Sequence, residues 1–293
     1  MKMLVTGAAG QLGTTIVRSF ARSHEVVGLA RHELDITQHA RVLDAVNSVR
    51  PSVIINCAAY NDVDGAESNP VRAMEVNAFA VRSLATASER VGATLVHYST
   101  DFVFDGTASE PYGEEDVPNP QSVYATSKLL GEWFSADTNR HYVVRVESLF
   151  GASALGKGES DRSHGSSLDR MADAMLGGRE VRVFVDRTVS PSYVEDVAIA
   201  TRSLLTTGVP FGLYHCVGTG RATWYDVALE LARCLSLEPA IEQVRVADLS
   251  FRARRPQFCA LSNAKLAGFG VGMPTWQDAL SRYAAARIGR GSC

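Results

Sequence analysis

The sequence predicts an α/β protein: a doubly wound, Rossmann-like parallel sheet followed by a smaller C-terminal α+β lobe. An apolar strand, Met3 to Thr6, runs straight into Gly7-Ala8-Ala9-Gly10-Gln11-Leu12-Gly13 and then into a helix-period segment, Thr14 to Ala21. Short apolar runs and helical patterns alternate through about residue 150, as βαβ units do. Beyond that point the alternation loosens. Residues 1–150 therefore read as a dinucleotide-binding domain, with later segments returning to it, and residues 151–293 mainly as a second, less regular lobe.

The glycine loop has the spacing G-x-x-G-x-x-G, so its place at the first turn carries the assignment. Gly7 and Gly10 permit the tight turn and close backbone approach, and the helix N-terminus behind them offers N–H donors to a pyrophosphate. Glu25 to Leu29 reads as the second strand and ends in Ala30-Arg31-His32. Where an NAD enzyme places an acid against the ribose 2′-hydroxyl, Arg31 suits a 2′-phosphate, which favours NADPH over NADH. The bland alternative is an exposed arginine after a strand. Leu34-Asp35-Ile36-Thr37 leads into a helix from Gln38 to Val49, where Asp35 suits either an adenine amino group or a helix cap.

Val53 to Asn56 is a third strand, and the small residues of Cys57-Ala58-Ala59-Tyr60 let a flat cofactor lie close to the chain. Asp62 to Glu67 reads as an acidic loop, and Pro70 opens a long helix through Val91. Asn77, polar among apolar neighbours within it, reads as a structural hydrogen-bonder. Thr94 to Tyr98 is the fourth strand and delivers Ser99, Thr100 and Asp101 to the same sheet edge. A loop rich in glycine, proline and acids, Asp105 to Pro120, follows and is suited to shape a mouth above the sheet.

Tyr124-Ala125-Thr126-Ser127-Lys128 heads the next helix, where residues four apart share a face. A cation beside a phenol favours its charged form, so Lys128 is expected to bring Tyr124 into use as an acid or base near neutral pH. Thr100 is placed to donate to a carbonyl oxygen. With nine tyrosines and four lysines the spacing arises by chance about once in eight such chains, so its position after the fourth strand carries the weight. Alone, it would equally describe a surface lysine one turn from a packed tyrosine.

Tyr142 to Val146 is the next strand. The polar, glycine-rich segment from Gly151 to Gly165 is expected as a mobile loop or lid. Helices are expected over Ser167 to Leu176, Val194 to Leu205, Trp224 to Leu235 and Trp276 to Ala286, and strands over Val181 to Val185 and Gly212 to Val217.

At 293 residues and 46% hydrophobic content the chain can bury a sizeable core. Its longest apolar runs are far short of a membrane span, and its N-terminus enters a strand without a signal-peptide pattern, so a cytoplasmic protein off the membrane is expected. Five scattered cysteines (57, 216, 234, 259, 293) have no metal-ligand spacing and read as reduced thiols, with no metal expected. A net charge of −3 with dispersed basic residues gives no footprint for nucleic acid.

The glycine loop, Thr100 and Tyr124-x-x-x-Lys128 together resemble the extended short-chain dehydrogenase/reductases. Asn56-Cys57-Ala58-Ala59-Tyr60 with Val63-Asp64-Gly65-Ala66-Glu67, and His97 through Gly106, resemble the dTDP-4-dehydrorhamnose reductase family in particular. So do Gly212-Leu213-Tyr214-His215, Trp224-Tyr225, Ala253-Arg254-Arg255-Pro256, Leu261-Ser262 and Lys265, and the likeness spans nearly the whole chain. It implies an NADPH-dependent 4-ketoreductase of a nucleotide-linked, dTDP-type 6-deoxy-4-keto sugar, with a homodimer left open. Tyr124 would protonate the carbonyl oxygen, Lys128 would hold the cofactor ribose and Thr100 would orient the carbonyl. Gly10, Gln11 and Leu12 would meet the pyrophosphate, Asp35 and Ile36 the adenine, and Ala58, Ala59 and Tyr60 the middle of the cofactor, with Tyr98 beside them. Asp101 and Ser148 would lie near the sugar, and Arg254 and Arg255 near the diphosphate unless they form a solvated basic turn.

Two departures concern the sugar. Relatives usually carry Arg-Thr-Ser-Trp-Val-Tyr after the fifth strand, whereas this chain reads Arg145-Val146-Glu147-Ser148-Leu149-Phe150, with serine in the place of the tryptophan. Asp186-Arg187-Thr188-Val189-Ser190-Pro191-Ser192 stands where Asp-Gln-x-Gly-x-Pro-Thr is more usual. Losing an aromatic wall changes pocket shape and polarity, so the resemblance implies the reaction type and leaves the sugar open. A dehydratase is disfavoured because Phe102, not an acid, follows Asp101, and release of the cofactor after each turnover would separate a reductase from an epimerase or dehydratase. A cofactor-binding regulatory protein is disfavoured because Thr100, Tyr124 and Lys128 are all present.

Overall fold

The computed structural model describes residues 1–151 and 165–290. The segment expected as a lid therefore lies, apart from its two ends, outside the described residues. The first half of the chain alternates as β1 (Lys2–Thr6), α1 (Gln11–Phe20), β2 (Glu25–Leu29), α2 (His39–Val49), β3 (Val53–Asn56), α3 (Val63–Ser68), α4 (Pro70–Met74), α5 (Ala80–Val91), β4 (Thr94–Thr100), α6 (Val123–Ala136) and β5 (His141–Val146). Every residue of β3 and β4 is buried, so both faces of the sheet are covered and the strands read as continuous runs.

The second half continues with β6 (Leu149–Phe150), α7 (Ser167–Leu176), β7 (Val181–Phe184), β8 (Thr188–Val189), β9 (Ser192–Tyr193), α8 (Val194–Thr206) and β10 (Gly212–His215). It closes with β11 (Ala222–Thr223), α9 (Trp224–Leu235), β12 (Ile241–Val244), α10 (Ala264–Gly268) and α11 (Trp276–Arg290). Strand β10 returns to the main sheet and pairs in parallel with β5, giving the six-stranded order β10-β5-β4-β3-β1-β2. Strands β7 and β12 form a separate parallel pair that belongs to the less regular part.

One apolar cluster joins Met3, Val5 and Ile16 to Val144, Leu204, Leu231 and Leu280, so the second half shares a core with one face of the sheet. On the other face Leu4, Ile54 and Leu95 pack with Val42, Val46 and Leu84 from α2 and α5. Strand order reverses between β1 and β3, which opens a crevice at their carboxyl ends. Gly7 stands there at φ +67°, and a Cβ on it would lie 2.6 Å from Ala58 N. Gly13 is equally constrained, since its Cβ would meet Gly7 O at 2.2 Å.

One expectation changes. The acidic stretch after Tyr60 is not a loop: it forms the short helix α3, capped by the Asp62 carboxylate accepting from Gly65 N at 2.8 Å. Six residues with a central glycine are too few for a periodic signal. The long helix expected from Pro70 through Val91 is present without a break, as α4, a π-helical turn at Glu75–Phe79 and α5. The π-helical turn carries the buried Asn77, whose side chain hydrogen-bonds off the helix, a local geometry that residue periodicity does not encode.

Candidate active site

The Ser122 hydroxyl caps α6 by accepting from Ala125 N (3.2 Å), and Glu67 fixes the same end by accepting from Val123 N (2.8 Å). The first turn thus holds Tyr124 against Phe102, ring edge to face at 5.7 Å. Lys128 lies one turn on, 3% exposed, and its Nζ donates to the Tyr98 carbonyl at 2.6 Å. Thr100 closes β4 beside them as the hydrogen-bond neighbour of the Tyr124 phenol. Helix and strand end therefore bring the three predicted catalytic side chains to one place.

Their electrostatics differ from the expectation. Burial pushes the Tyr124 phenol up to about 12, with Thr100 pulling it down and Asp101 pushing it up. Burial also lowers the Lys128 ammonium to about 8, with Glu132 acting in the opposite direction. Burial dominates at the phenol, so the drop expected for it is absent and Tyr124 is held protonated. That is the form a proton donor needs.

The groove for a dinucleotide lies beside this point. Gly10 is exposed at the N-terminus of α1, with free access to the helix's first N–H groups. Leu12 is buried beneath it. Gln11 turns aside, donating to Asp169 Oδ2 (3.0 Å) and Gly151 O (3.3 Å), so its side chain ties the loop to the second half. Arg31 is exposed just past β2, where a 2′-phosphate would lie. Ala58, Ala59 and Tyr60 follow β3 half-buried. Asn77 clamps that segment, accepting from Tyr60 N (2.8 Å) and donating to Tyr60 O (3.1 Å) and Ser127 Oγ (3.0 Å). The segment after β3 and α6 are thus held by one amide, a structural role as the sequence suggested. The tight turn a dinucleotide would need at this crevice depends on Gly7, whose positive φ and approach to the backbone after β3 leave no room for a Cβ, which would meet Ala58 N at 2.6 Å.

Other predicted residues are engaged differently. Asp35 does not cap α2, whose N-cap is Gln38. Burial raises its pKa but is outweighed by Thr37, which donates to Oδ1 at 2.8 and 3.1 Å, and by Arg72 at 3.3 Å. Ile36 is a core residue with Leu34 and Val42. The Tyr98 side chain leaves the site, its hydroxyl paired with Thr201 Oγ1 at 2.6 Å, and only its carbonyl serves Lys128. Arg255 is half-committed to Asp64 (2.6 Å), whereas Arg254 is exposed beside Gln121 (2.9 Å). Ser148 is half-buried at φ +44° after β5.

Two buried features escaped the sequence reading. Arg145 of β5 makes a two-pronged pair with Glu132 of α6 (2.8 and 2.7 Å), with Ser99 Oγ donating to the same carboxylate. This pair anchors the catalytic helix to the sheet one turn below Lys128. Asp101 and Glu147 are both buried near Arg187 and Cys259. Burial raises Asp101 to about 6 and Glu147 well above the usual carboxylate range. A surface concavity of about 410 Å³, lined by Val53, Thr94, Arg140 and Phe211, lies at the opposite end, where strands begin, and contains none of these groups.

Residues 1–288 match the family described as RmlD substrate binding domain. A dTDP-4-dehydrorhamnose reductase of Burkholderia thailandensis is 35% identical over 298 residues, covering 96% of this chain and 97% of that one. A probable dTDP-4,6-dihydroxy-2-methyloxan-3-one 4-ketoreductase of Streptomyces antibioticus is 34% identical, covering 96% and 93%. The crystal structure of dTDP-4-dehydrorhamnose reductase from Bacillus anthracis in complex with NADP superposes with a TM-score of 0.89 at 31% identity, covering 97% of this chain and 99% of that one.

Proposed function

The chain belongs to the RmlD substrate binding domain family, and on that premise we propose that it is an NADPH-dependent reductase of the 4-keto group of a nucleotide-linked, dTDP-type 6-deoxy sugar. The observation that carries the reading is the meeting of Thr100, Tyr124 and Lys128 beside the glycine loop at the carboxyl ends of the strands. NADPH, when bound, supplies the hydride. Gly7 and Gly10 with the α1 N-terminus hold its pyrophosphate, Arg31 its 2′-phosphate, and the Ala58–Tyr60 segment its middle.

The chain's own residues supply the rest. Tyr124, kept protonated by its dry surroundings, gives its phenolic proton to the carbonyl oxygen as that oxygen gains charge. Thr100 orients the carbonyl, and Lys128 places positive charge within the same enclosure. Asp101 and Ser148 face the sugar and Arg254 the diphosphate, since guanidinium groups suit phosphate oxygens. Arg255, tied to Asp64, serves as the wall behind it. The sugar is one whose ring fits a polar wall at Ser148 instead of an aromatic one. A cytoplasmic location accords with the reduced thiols at Cys57, Cys216, Cys234 and Cys259.

The test is loss of NADPH absorbance with a dTDP-4-keto-6-deoxy hexose and, separately, its 5-epimer, with NADH beside NADPH. Turnover of at least one sugar is expected, and Tyr124→Phe should lower kcat about 10²–10⁴-fold while NADPH binding persists. A Tyr124→Phe enzyme as active as its parent would remove the proton-donor role.

A further inference from the structure

Glu147 has no task in the reduction described above, yet it is 2% exposed and stands next to Asp101, which is 4% exposed. One oxygen of each is held: Thr100 Oγ1 donates to Asp101 Oδ1 at 3.1 Å, and Ser190 N donates to Glu147 Oε2 at 2.7 Å. Among the described residues, Asp101 Oδ2 and Glu147 Oε1 have no hydrogen-bond partner. A carboxylate oxygen of each lies within 4.8 Å of the other and of Cys259 Sγ.

The cation facing both acids is Arg187, whose guanidinium stacks on Phe102 at 5.3 Å and reaches Pro256 O (3.2 Å) and Cys259 Sγ (3.5 Å). The other titratable groups facing them, Tyr124 and Cys259, are neutral, burial having raised both. Two carboxylates and one guanidinium would leave a surplus negative charge in a dry enclosure. Taking up one proton costs less than burying that charge, and it gives one acid a donor for the other's empty oxygen.

We propose that Asp101 and Glu147 share one proton and that the pair returns it through Thr100 to Tyr124 after each reduction. The proposal rests on the 4-ketoreductase reading. Hydride from NADPH forms the new C–H bond at the keto carbon, and the phenolic proton of Tyr124 forms the alcohol O–H. The phenolate then takes the Thr100 hydroxyl proton, and Thr100 takes the proton of the Asp101 carboxyl group. A threonine hydroxyl has one hydrogen and two lone pairs and can rotate between the two partners. The pair, left with two negative charges, takes a proton from water when the product leaves.

The experiment compares the wild type with Glu147→Gln and Asp101→Asn. Infrared difference spectra of the apoprotein at about pH 7 should show a protonated-carboxyl stretch in the wild type that is lost in Glu147→Gln, because Asp101 then faces Arg187 alone and ionises. With NADPH and the 5-epimerised dTDP-4-keto-6-deoxy hexose, Glu147→Gln should lose kcat about 10–100-fold at about pH 8 and recover toward about pH 5, with KM for the sugar little changed. Asp101→Asn should lose kcat at every pH. A wild type with no protonated-carboxyl band near neutral pH would overturn the shared proton. A Glu147→Gln profile superposing on that of the wild type would overturn the relay. A wild type inactive on every keto sugar would instead remove the reduction, and with it the relay, while the infrared band still decides the shared proton.

Discussion

Arg145→Met breaks the pair that anchors the catalytic helix, and its cost follows from the local geometry. Arg145 is 2% exposed, spans both oxygens of Glu132 and lies 5.0 Å over the Phe104 ring, with His215 Nε2 accepting from it at 3.3 Å. Burial and Arg145 together push His215 down to about 3, so the imidazole stays neutral and accepts. Methionine fills much of the volume but leaves the Glu132 carboxylate in a dry site with the Ser99 hydroxyl as its remaining donor. One-sided breakage of a buried pair costs about 3–5 kcal/mol, of which the lost ring contact is about 1 kcal/mol. Replacing both partners, Glu132→Leu with Arg145→Met, removes the stranded charge and leaves the Ser99 hydroxyl and His215 Nε2 unpartnered, about 1 kcal/mol each. The double variant should therefore be more stable than either single one. The assay is urea unfolding of the apoprotein followed through its three tryptophans. If the costs of the two single substitutions simply add in the double variant, the pair does not act as a unit and the anchoring argument fails.

Lys128 provides a pH prediction. Burial lowers it from 10.5 to about 8, so between those values the unfolded chain binds the extra proton and stability rises with pH. Relative to Lys128→Met, the wild type should gain about 3 kcal/mol across that window, measured as the pH dependence of the difference in unfolding free energy; parallel curves would refute it. Arg31→Asp should move cofactor preference from NADPH toward NADH in paired Kd measurements, and an unchanged ratio would take Arg31 away from the 2′-phosphate. Gly131→Ala would ordinarily stabilise a helix by about 1 kcal/mol. Here the added Cβ would lie 2.2 Å from Asn77 O, so a net loss of about 1–3 kcal/mol is expected in thermal unfolding. A stabilised Gly131→Ala protein would show that α6 can withdraw from the π-helical turn without cost.

The parts of the site legible in the chain were those whose chemistry is written in short spacings. Gly7 to Gly13 follows a strand, Thr100 ends one, and Tyr124 and Lys128 sit four apart on a helix, so each carries its own geometry. The parts that were not legible depend on partners far along the chain. Glu132 meets Arg145 only because α6 packs beside β5, and Asp101 meets Glu147, Arg187 and Cys259 only where four separate segments converge. Tyr98 illustrates the same divide, because its carbonyl faces the site while its ring crosses to Thr201 on α8.

Local pattern by itself determined the strand and helix alternation, the parallel sheet and the place of Thr100, Tyr124 and Lys128, because side-chain periodicity and backbone turns are properties of neighbouring residues. Only the tertiary structure decided the protonation states. Whether Tyr124 is pulled down by a lysine or held up by burial, and whether two acids share a proton, depends on which groups are excluded from water together, and solvent exclusion is a property of the assembled fold.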